Sequence, residues 1–205
     1  MIFLVRHGER ADNCEVEKQN IVNPSDPHLT PTGCTQALQA GKSIQQEIQA
    51  YSCVDIQSSP FLRCIMTAKI IASHINKEEV SLKTEICETL YPHFFSKNPL
   101  PELVINTDPT LTYFTGITLI DQQSNQNEIY PETLENVTNR IMSYVQQLLK
   151  TIEPEQCVIL ITHQRPLKTI LELFNQNTDN VGYCKVISLR KGESTQIEEC
   201  ELKIY

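Results

Sequence analysis

Hydrophobic positions along the chain alternate between two patterns, one typical of buried strands and the other of amphipathic helices. Uninterrupted apolar runs at residues 2–5 and 157–161 predict strands that are buried on both faces. Further strands are predicted at 54–56, 80–86, 183–189 and 196–204. Apolar residues at helical spacing predict helices at 30–51, 60–75, 133–151 and from Pro166 to about 174.

This alternating order predicts an α/β fold, a three-layer α/β/α sandwich around a mostly parallel sheet. A length of 205 residues suits a single domain over residues 1–205. Residues 92–131 interrupt the pattern with five prolines and the polar tract 122–127. A connection of this length is typically functional, so we predict an inserted loop or lid region there.

The predicted strands end in residues that suit a phosphoryl group. His7 and His163 each follow one of the two apolar runs, and the strand at 54–56 leads to Arg63. Because ligands of parallel sheets lie beyond the carboxyl ends of the strands, we expect these residues and Arg6 to converge. Arginine matches phosphate oxygens with a planar fork of donors, and a neutral imidazole can attack phosphorus. A helix beginning at Pro166 would also favour an anion there.

The amino-acid composition excludes several classes of binding partner and cofactor. The net charge of −8, from 17 basic and 25 acidic residues, argues against general binding of nucleic acid or of an anionic membrane. No signal peptide pattern and no apolar run of roughly 18 residues is present, so we expect no membrane span. Eight scattered cysteines without a C-x-x-C pair predict reduced thiols and a cytoplasmic location. The histidine and cysteine spacings predict no metal site, and no cofactor is expected.

Four segments carry a resemblance to a known family. LVRHGER at residues 4–10 resembles the signature of the histidine phosphatase superfamily, which has the phosphoglycerate mutase-like fold. LTPTG followed by Gln36-Ala37, SSPFLRC followed by Thr67-Ala68, and Thr162-His163 are similar to later blocks of that family, in the same order. R-H-G-E-R followed by Ala-Asp is similar to the branch that includes the ubiquitin-associated and SH3-domain tyrosine phosphatases, of which only the catalytic module is matched.

The resemblance implies a metal-independent phosphomonoesterase of the histidine acid phosphatase type. His7 would be the nucleophile that forms a phosphohistidine, and Arg6, Arg63 and His163 would bind the phosphoryl oxygens. Arg10 matches an additional phosphate-binding arginine of the R-H-G-E-R branch. Glu88 is assigned as the acid and base of the reaction, with Glu85 as the alternative because the spacing departs from the family pattern.

Several alternatives stay open in the sequence. The chain is either a phosphatase, a catalytically idle relative acting as a subunit or binding module, or a phosphomutase. The substrate is a phosphorylated small molecule or a phosphoprotein, and a homodimer or a larger assembly is equally compatible with the sequence. Arg165 contacts either substrate or solvent. Four aromatic residues of the insert either line a pocket for a phosphotyrosine-like group or form a satellite core: Phe94, Phe95, Tyr113 and Phe114.

Overall fold

The architecture is a sheet covered by helices on both faces. The computed structural model describes residues 1–103, 116–121, 130–179, 181–192 and 200–205. Its strands are β1 (Ile2–Arg6), β2 (Cys53–Ser58), β3 (Glu79–Leu82), β4 (Thr118–Asp121), β5 (Gln156–Thr162), β6 (Val186–Arg190) and β7 (Glu201–Ile204). They form one sheet in the order β4-β3-β2-β5-β1-β6-β7. The five strands from β4 to β1 are parallel, whereas β6 is antiparallel to both β1 and β7.

Side chains of the central strands alternate between two cores. The helices are α1 (Pro31–Glu47), α2 (Leu62–His74), α3 (Leu134–Thr151) and α4 (Gln164–Leu173). Phe3 and Val5 of β1 belong to a core cluster with residues of α1 and α2, whereas Ile2 and Leu4 belong to one with residues of α3 and α4. Because successive side chains of a strand point to opposite faces, one continuous apolar run serves both layers. The predicted three-layer α/β/α fold is therefore confirmed.

Helix starts follow the local sequence. Thr30 caps α1 by accepting a hydrogen bond from the Gly33 amide at 2.9 Å, and Pro31 occupies the first helical position. Thr133 and Asn136 form a reciprocal capping box at the start of α3. These caps place the helix starts close to the predicted positions.

Several predicted boundaries are wrong in detail. The strand predicted at 80–86 ends at Leu82, and Thr84–Ile86 form a 3₁₀ turn. The strand predicted from residue 183 begins at Val186, because Cys184 adopts a left-handed backbone with φ of 52°. The helix predicted from Pro60 begins at Leu62, and the one predicted from Pro166 begins at Gln164.

The predicted insert is not entirely loop. Thr118–Asp121 form the edge strand β4, which pairs in parallel with β3. This strand was not predicted because a run of four residues, in a segment rich in proline, carries little periodic signal. Residues 104–115 and 122–129 of the insert lie outside the described residues. None of the described helices has both the length and the apolar character needed to cross a bilayer.

Candidate active site

The two histidines lie at neighbouring strand ends. His7 follows β1 and His163 follows β5, and these strands are paired in parallel. The amide of His7 donates to the carbonyl of Thr162 at 3.0 Å, which carries the pairing one residue beyond β1. The two imidazole rings are 5.2 Å apart between centroids. The expected convergence at the carboxyl edge of the sheet is thus seen for both residues.

His7 is held in one tautomer. Its ring is buried, and Nδ1 lies 2.7 Å from the carbonyl oxygen of Gly8. A carbonyl only accepts, so Nδ1 carries the proton and Nε2 keeps its lone pair. Burial, reinforced by the nearby Arg63 guanidinium, lowers the pKa of His7 well below its usual value. The ring is therefore neutral and nucleophilic at Nε2.

His163 is fixed by residues from two other elements. The hydroxyl of Ser59, at the end of β2, lies 2.7 Å from Nε2, and the thiol of Cys64 lies 3.4 Å from the same atom. Nδ1 lies 3.4 Å from Oε2 of Glu88. Burial and the Arg63 charge lower the pKa of His163 well below its usual value. This ring is also neutral, with a carboxylate close to one nitrogen.

Arg63 is the buried cation of the site. Its side chain is 1% exposed and lies 3.3 Å from Glu88 and 3.5 Å from Asp26. The Asp26 carboxylate also accepts hydrogen bonds from the Leu62 amide at 2.9 and 3.1 Å, which satisfies a free donor at the start of α2. Nε of Arg63 has no hydrogen-bond partner among the described residues, and Nη1 makes the 3.5 Å ion pair with Asp26. Buried guanidinium donors of this kind suit an oxyanion.

Arg6 and Arg10 lie on the same edge of the sheet. Arg6 donates to the carbonyl of Val181 and its guanidinium lies 4.1 Å from the ring centre of Tyr183. Its buried Nε has no partner in the described part of the chain. Arg10 forms a two-pronged ion pair with Asp12. Both arginines are therefore held in defined orientations.

Glu88 and Glu85 occupy different environments. Oε2 of Glu88 contacts both Arg63 and His163, and Oε1 accepts from the Thr89 amide at 3.0 Å. Glu85 instead offers its backbone carbonyl to Arg140 at 2.9 Å. The geometry places the Glu88 carboxylate, one of the two candidates, beside the histidine pair.

The loop after β1 is held by close backbone packing. A Cβ on Gly8 would lie 2.4 Å from the Gly33 carbonyl oxygen, and one on Gly33 would lie 2.4 Å from the Glu9 oxygen. The side chain of Glu9 accepts from Thr30 at 2.7 Å, and its amide donates to Gln36 at 2.9 Å. The segment around Thr30 and Gly33 is therefore the support on which the His7 loop rests.

A cavity of about 450 Å³ opens beside these groups. Its wall includes Arg10, Arg63, Glu88, Phe94, Gln164 and Arg165. Among the described residues, no group of three or more His, Cys, Asp or Glu side chains is placed to hold a metal ion. Glu88 links this wall to the histidine pair, since its carboxylate lies 3.4 Å from Nδ1 of His163. The arginines of the cavity suit a phosphoryl group.

Phe94 and Phe95 both line the cavity, and Phe95 also belongs to a satellite core, whereas a pocket for a phosphotyrosine-like group stays a prediction. Phe95 is buried and packs in a satellite core with Phe61 and Leu90. Phe94 is 59% exposed and lines the cavity. Tyr113 and Phe114 lie outside the described residues.

Four side chains that contact the site residues were not predicted from the sequence. Asp26 lies in a polar loop and its sequence context carries no signal for the Arg63 contact. Ser59 and Thr67 lie in a segment that is similar to a block of the family. No pattern in it indicated that the Ser59 hydroxyl contacts His163, or that Thr67 accepts a hydrogen bond from the Gly8 amide at 3.1 Å. Tyr183 packs against both Arg6 and His7, and only the folded chain reveals it.

Comparison with known proteins gives a family match over most of the chain. The model of the histidine phosphatase superfamily (branch 1) matches residues 2–186. No curated protein sequence matches the chain significantly.

Solved structures of several phosphatases share the fold at low identity. A phosphoserine phosphatase mutant from Entamoeba histolytica, in complex with phosphoserine, is 20% identical with a TM-score of 0.62, covering 99% of this chain and 95% of that one. A mycobacterial glucosyl-3-phosphoglycerate phosphatase is 17% identical with a TM-score of 0.58, covering 99% and 96%. The ecdysone phosphate phosphatase of Bombyx mori, in complex with tungstate, is 17% identical with a TM-score of 0.57, covering 98% of this chain and 91% of that one.

Proposed function

The chain belongs to branch 1 of the histidine phosphatase superfamily, and we propose that it hydrolyses phosphomonoesters without a metal, through a phosphohistidine on His7. The observation that carries the proposal is the contact between His7 Nδ1 and the Gly8 carbonyl at 2.7 Å, in a ring whose pKa is lowered. That contact leaves Nε2 as an unprotonated nucleophile. Burial lowers the pKa of both histidines, which supports neutral rings, and the acid phosphatase type is proposed on the sequence resemblance alone.

In the first step, Nε2 of His7 attacks phosphorus while the ester P–O bond breaks. The ring gains positive charge as the N–P bond forms, and the Gly8 carbonyl stabilises that charge through Nδ1–H. Glu88, in its protonated form, gives its proton to the leaving oxygen, so the alcohol departs neutral. The carboxylate left behind is stabilised by the Arg63 guanidinium at 3.3 Å.

Cations hold the phosphoryl oxygens through both steps. Arg6 and Arg63 each offer a buried Nε that has no hydrogen-bond partner among the described residues. Arg10 joins them by exchanging part of its Asp12 pairing for phosphate. The N–H of His163 adds a donor on the side of Glu88. Such donors are fixed before the reaction, so little reorganisation opposes the transition state.

In the second step, water attacks the phosphohistidine. Glu88 takes a proton from the water as its oxygen bonds to phosphorus, and the N–P bond breaks to release inorganic phosphate. His7 returns to its neutral form and Glu88 to its acid form. The named neighbours act on phosphoserine, glucosyl-3-phosphoglycerate and ecdysone phosphate. Their names support a phosphatase and leave open which phosphorylated small molecule or phosphoprotein is the substrate.

The test is turnover of 4-nitrophenyl phosphate, followed by trapping of the intermediate. The wild type should release nitrophenolate and, after rapid quenching with alkali, retain radioactive phosphate in an acid-labile bond. His7→Ala should abolish both signals. Thr35→Ala, a change at an exposed position of α1 whose hydroxyl donates to the Pro31 carbonyl, serves as the matched control. Absence of release by the wild type, or undiminished release by His7→Ala, would show that the proposal is wrong.

A further inference from the structure

One cation of the cavity wall is not needed for the phosphoryl chemistry. Arg165 lies in the first turn of α4, two residues after His163, and its side chain is 31% exposed. It lines the same cavity as Arg10 and Arg63. In the described part of the chain, its polar contact is with Glu172, which takes no part in the two steps above. Its presence in the wall therefore calls for a different explanation.

The charge of Arg165 is poorly balanced by the protein. Arg63 lies between two carboxylates, and Arg10 holds Asp12 with two prongs. Arg165 contacts only Glu172 in the described part of the chain, at 3.4 Å through each arm, and that carboxylate is half-exposed. Long, solvated pairs contribute little. Nε of Arg165 is in addition buried without a hydrogen-bond partner among the described residues.

The cavity has room for more than a phosphoryl group. Its volume of about 450 Å³ lies within the range typical of sites for small organic ligands, roughly 300–1,000 Å³. Phe94 contributes an exposed aromatic surface to the wall. An organic body can therefore rest against Phe94 while its phosphoryl group lies near Arg63.

We propose that Arg165 binds a second oxyanionic group of the substrate, a carboxylate or a second phosphate, and so selects small phosphomonoesters that carry such a group besides the reacting phosphoryl. This inference rests on the proposed function, because the first group is taken to be the phosphoryl. A guanidinium fork pairs with either oxyanion through two parallel N–H donors. The start of α4 adds to the attraction, since its amides carry partial positive charge.

The experiment measures binding of non-hydrolysable probes, so it does not depend on turnover. Phenylphosphonate, 3-carboxyphenylphosphonate and benzene-1,3-diphosphonate are titrated into the wild type by calorimetry. We expect the second oxyanion to tighten binding by about tenfold, the gain typical of one charge-assisted hydrogen-bonded pair. The better of the two bisanionic probes then identifies the second group as carboxylate or phosphate.

Three variants test whether Arg165 causes the tighter binding of the bisanionic probes. Arg165→Gln should bring the ratio of affinities for bisanionic and simple probes close to one. Lys168→Gln removes the same charge from the same helix, outside the cavity wall, and should keep the ratio. Glu172→Gln removes the competing carboxylate and should raise it.

Three results would overturn the inference: no gain in the wild type, a gain that survives in Arg165→Gln, or an equal loss in Lys168→Gln. If the probes bind as expected but 4-nitrophenyl phosphate is not hydrolysed, the subsite stands and the proposed function fails. If the ester is hydrolysed but the bisanionic and simple probes bind equally well, the proposed function stands and the subsite fails.

Discussion

Glu88 owes its proposed role to three contacts of its carboxylate, none of which Glu85 makes within the described ranges. Its carboxylate meets Arg63, His163 and the Thr89 amide, which orient one oxygen toward the histidine pair. Glu85 presents its backbone to Arg140 instead. The choice between them, open in the sequence, becomes a matter of which carboxylate can reach a leaving oxygen.

Glu88→Gln should slow the reaction according to the leaving group. For an alkyl phosphate, whose alkoxide needs a proton, kcat/KM should fall by about 10²–10⁴-fold. For 4-nitrophenyl phosphate the fall should be much smaller, because nitrophenolate leaves unprotonated. Glu85→Gln is the matched control and should show no such difference. A leaving-group effect in Glu85→Gln and none in Glu88→Gln would reverse the assignment.

Neutral, buried histidines also tie stability to pH. The pKa values of His7 and His163 are lowered well below 6.5 by burial and by Arg63. Below about pH 6.5 these two imidazoles therefore bind protons in the unfolded chain but stay neutral in the folded chain. The stability contributed by the neutral rings is fully present above that pH and is lost as pH falls.

We expect the free energy of unfolding to decrease by about 1.4 kcal/mol per pH unit for each of the two histidines in this window. Urea denaturation between pH 7.5 and 5 measures it. The double variant with His7→Gln and His163→Gln should give a shallower pH dependence than the wild type, whatever its absolute stability. Parallel curves would mean that the two rings titrate normally in the folded protein.

The segment that carries Glu88 is held in place by hydrogen bonds from Arg140 of α3 to its backbone carbonyls. Arg140 pairs with Glu132 through Nε at 2.7 Å and Nη2 at 2.8 Å. The same guanidinium donates to the carbonyls of Glu85 and Cys87, and Glu132 accepts from the Leu90 amide at 2.8 Å. One buried ion pair thus satisfies the backbone on both sides of Glu88.

Removing one member of this pair should cost more than removing both. Arg140→Met leaves Glu132 buried and unpaired, which should lower the free energy of unfolding by about 3–5 kcal/mol. Adding Glu132→Met should recover part of that loss in stability. The value of kcat/KM should stay low, because the carbonyls around Glu88 still lack their hydrogen bonds from Arg140. Chemical denaturation and turnover measured on the same three proteins test both statements. Activity that returns together with stability would show that the pair does not position Glu88.

The sequence predicts the strands and helices better than it predicts the polar contacts that hold the site residues in place. Parallel strands with continuous apolar runs must end on one edge, so the approach of His7 and His163 follows from β1 and β5 alone. Asp26 and Arg140 lie on a loop and on a helix surface, where periodicity does not constrain polar contacts. The edge strand β4 was missed for a related reason, since four residues among prolines show no alternation.

The whole molecule sets a negative background around a positive site. The net charge is −8, yet Arg6, Arg10, Arg63 and Arg165 all lie at the carboxyl edge of the sheet. At short range an oxyanion meets these arginines, whereas at longer range it meets the acidic surface. Approach and binding therefore depend on charge in opposite directions.

Ionic strength should separate the two effects. Consider two peptides that carry the same phosphorylated residue, one flanked by glutamates and the other by lysines, as competitors of 4-nitrophenyl phosphate hydrolysis. Raising the salt from about 0.02 to 0.3 M shortens the Debye length several-fold and screens the distant surface charge most. The acidic peptide should then gain in affinity relative to the basic one by several-fold, because repulsion by the −8 background weakens for the first and attraction weakens for the second. If the ratio of the two inhibition constants does not change with salt, the acidic surface plays no part in selecting substrates and selection rests on the cavity alone.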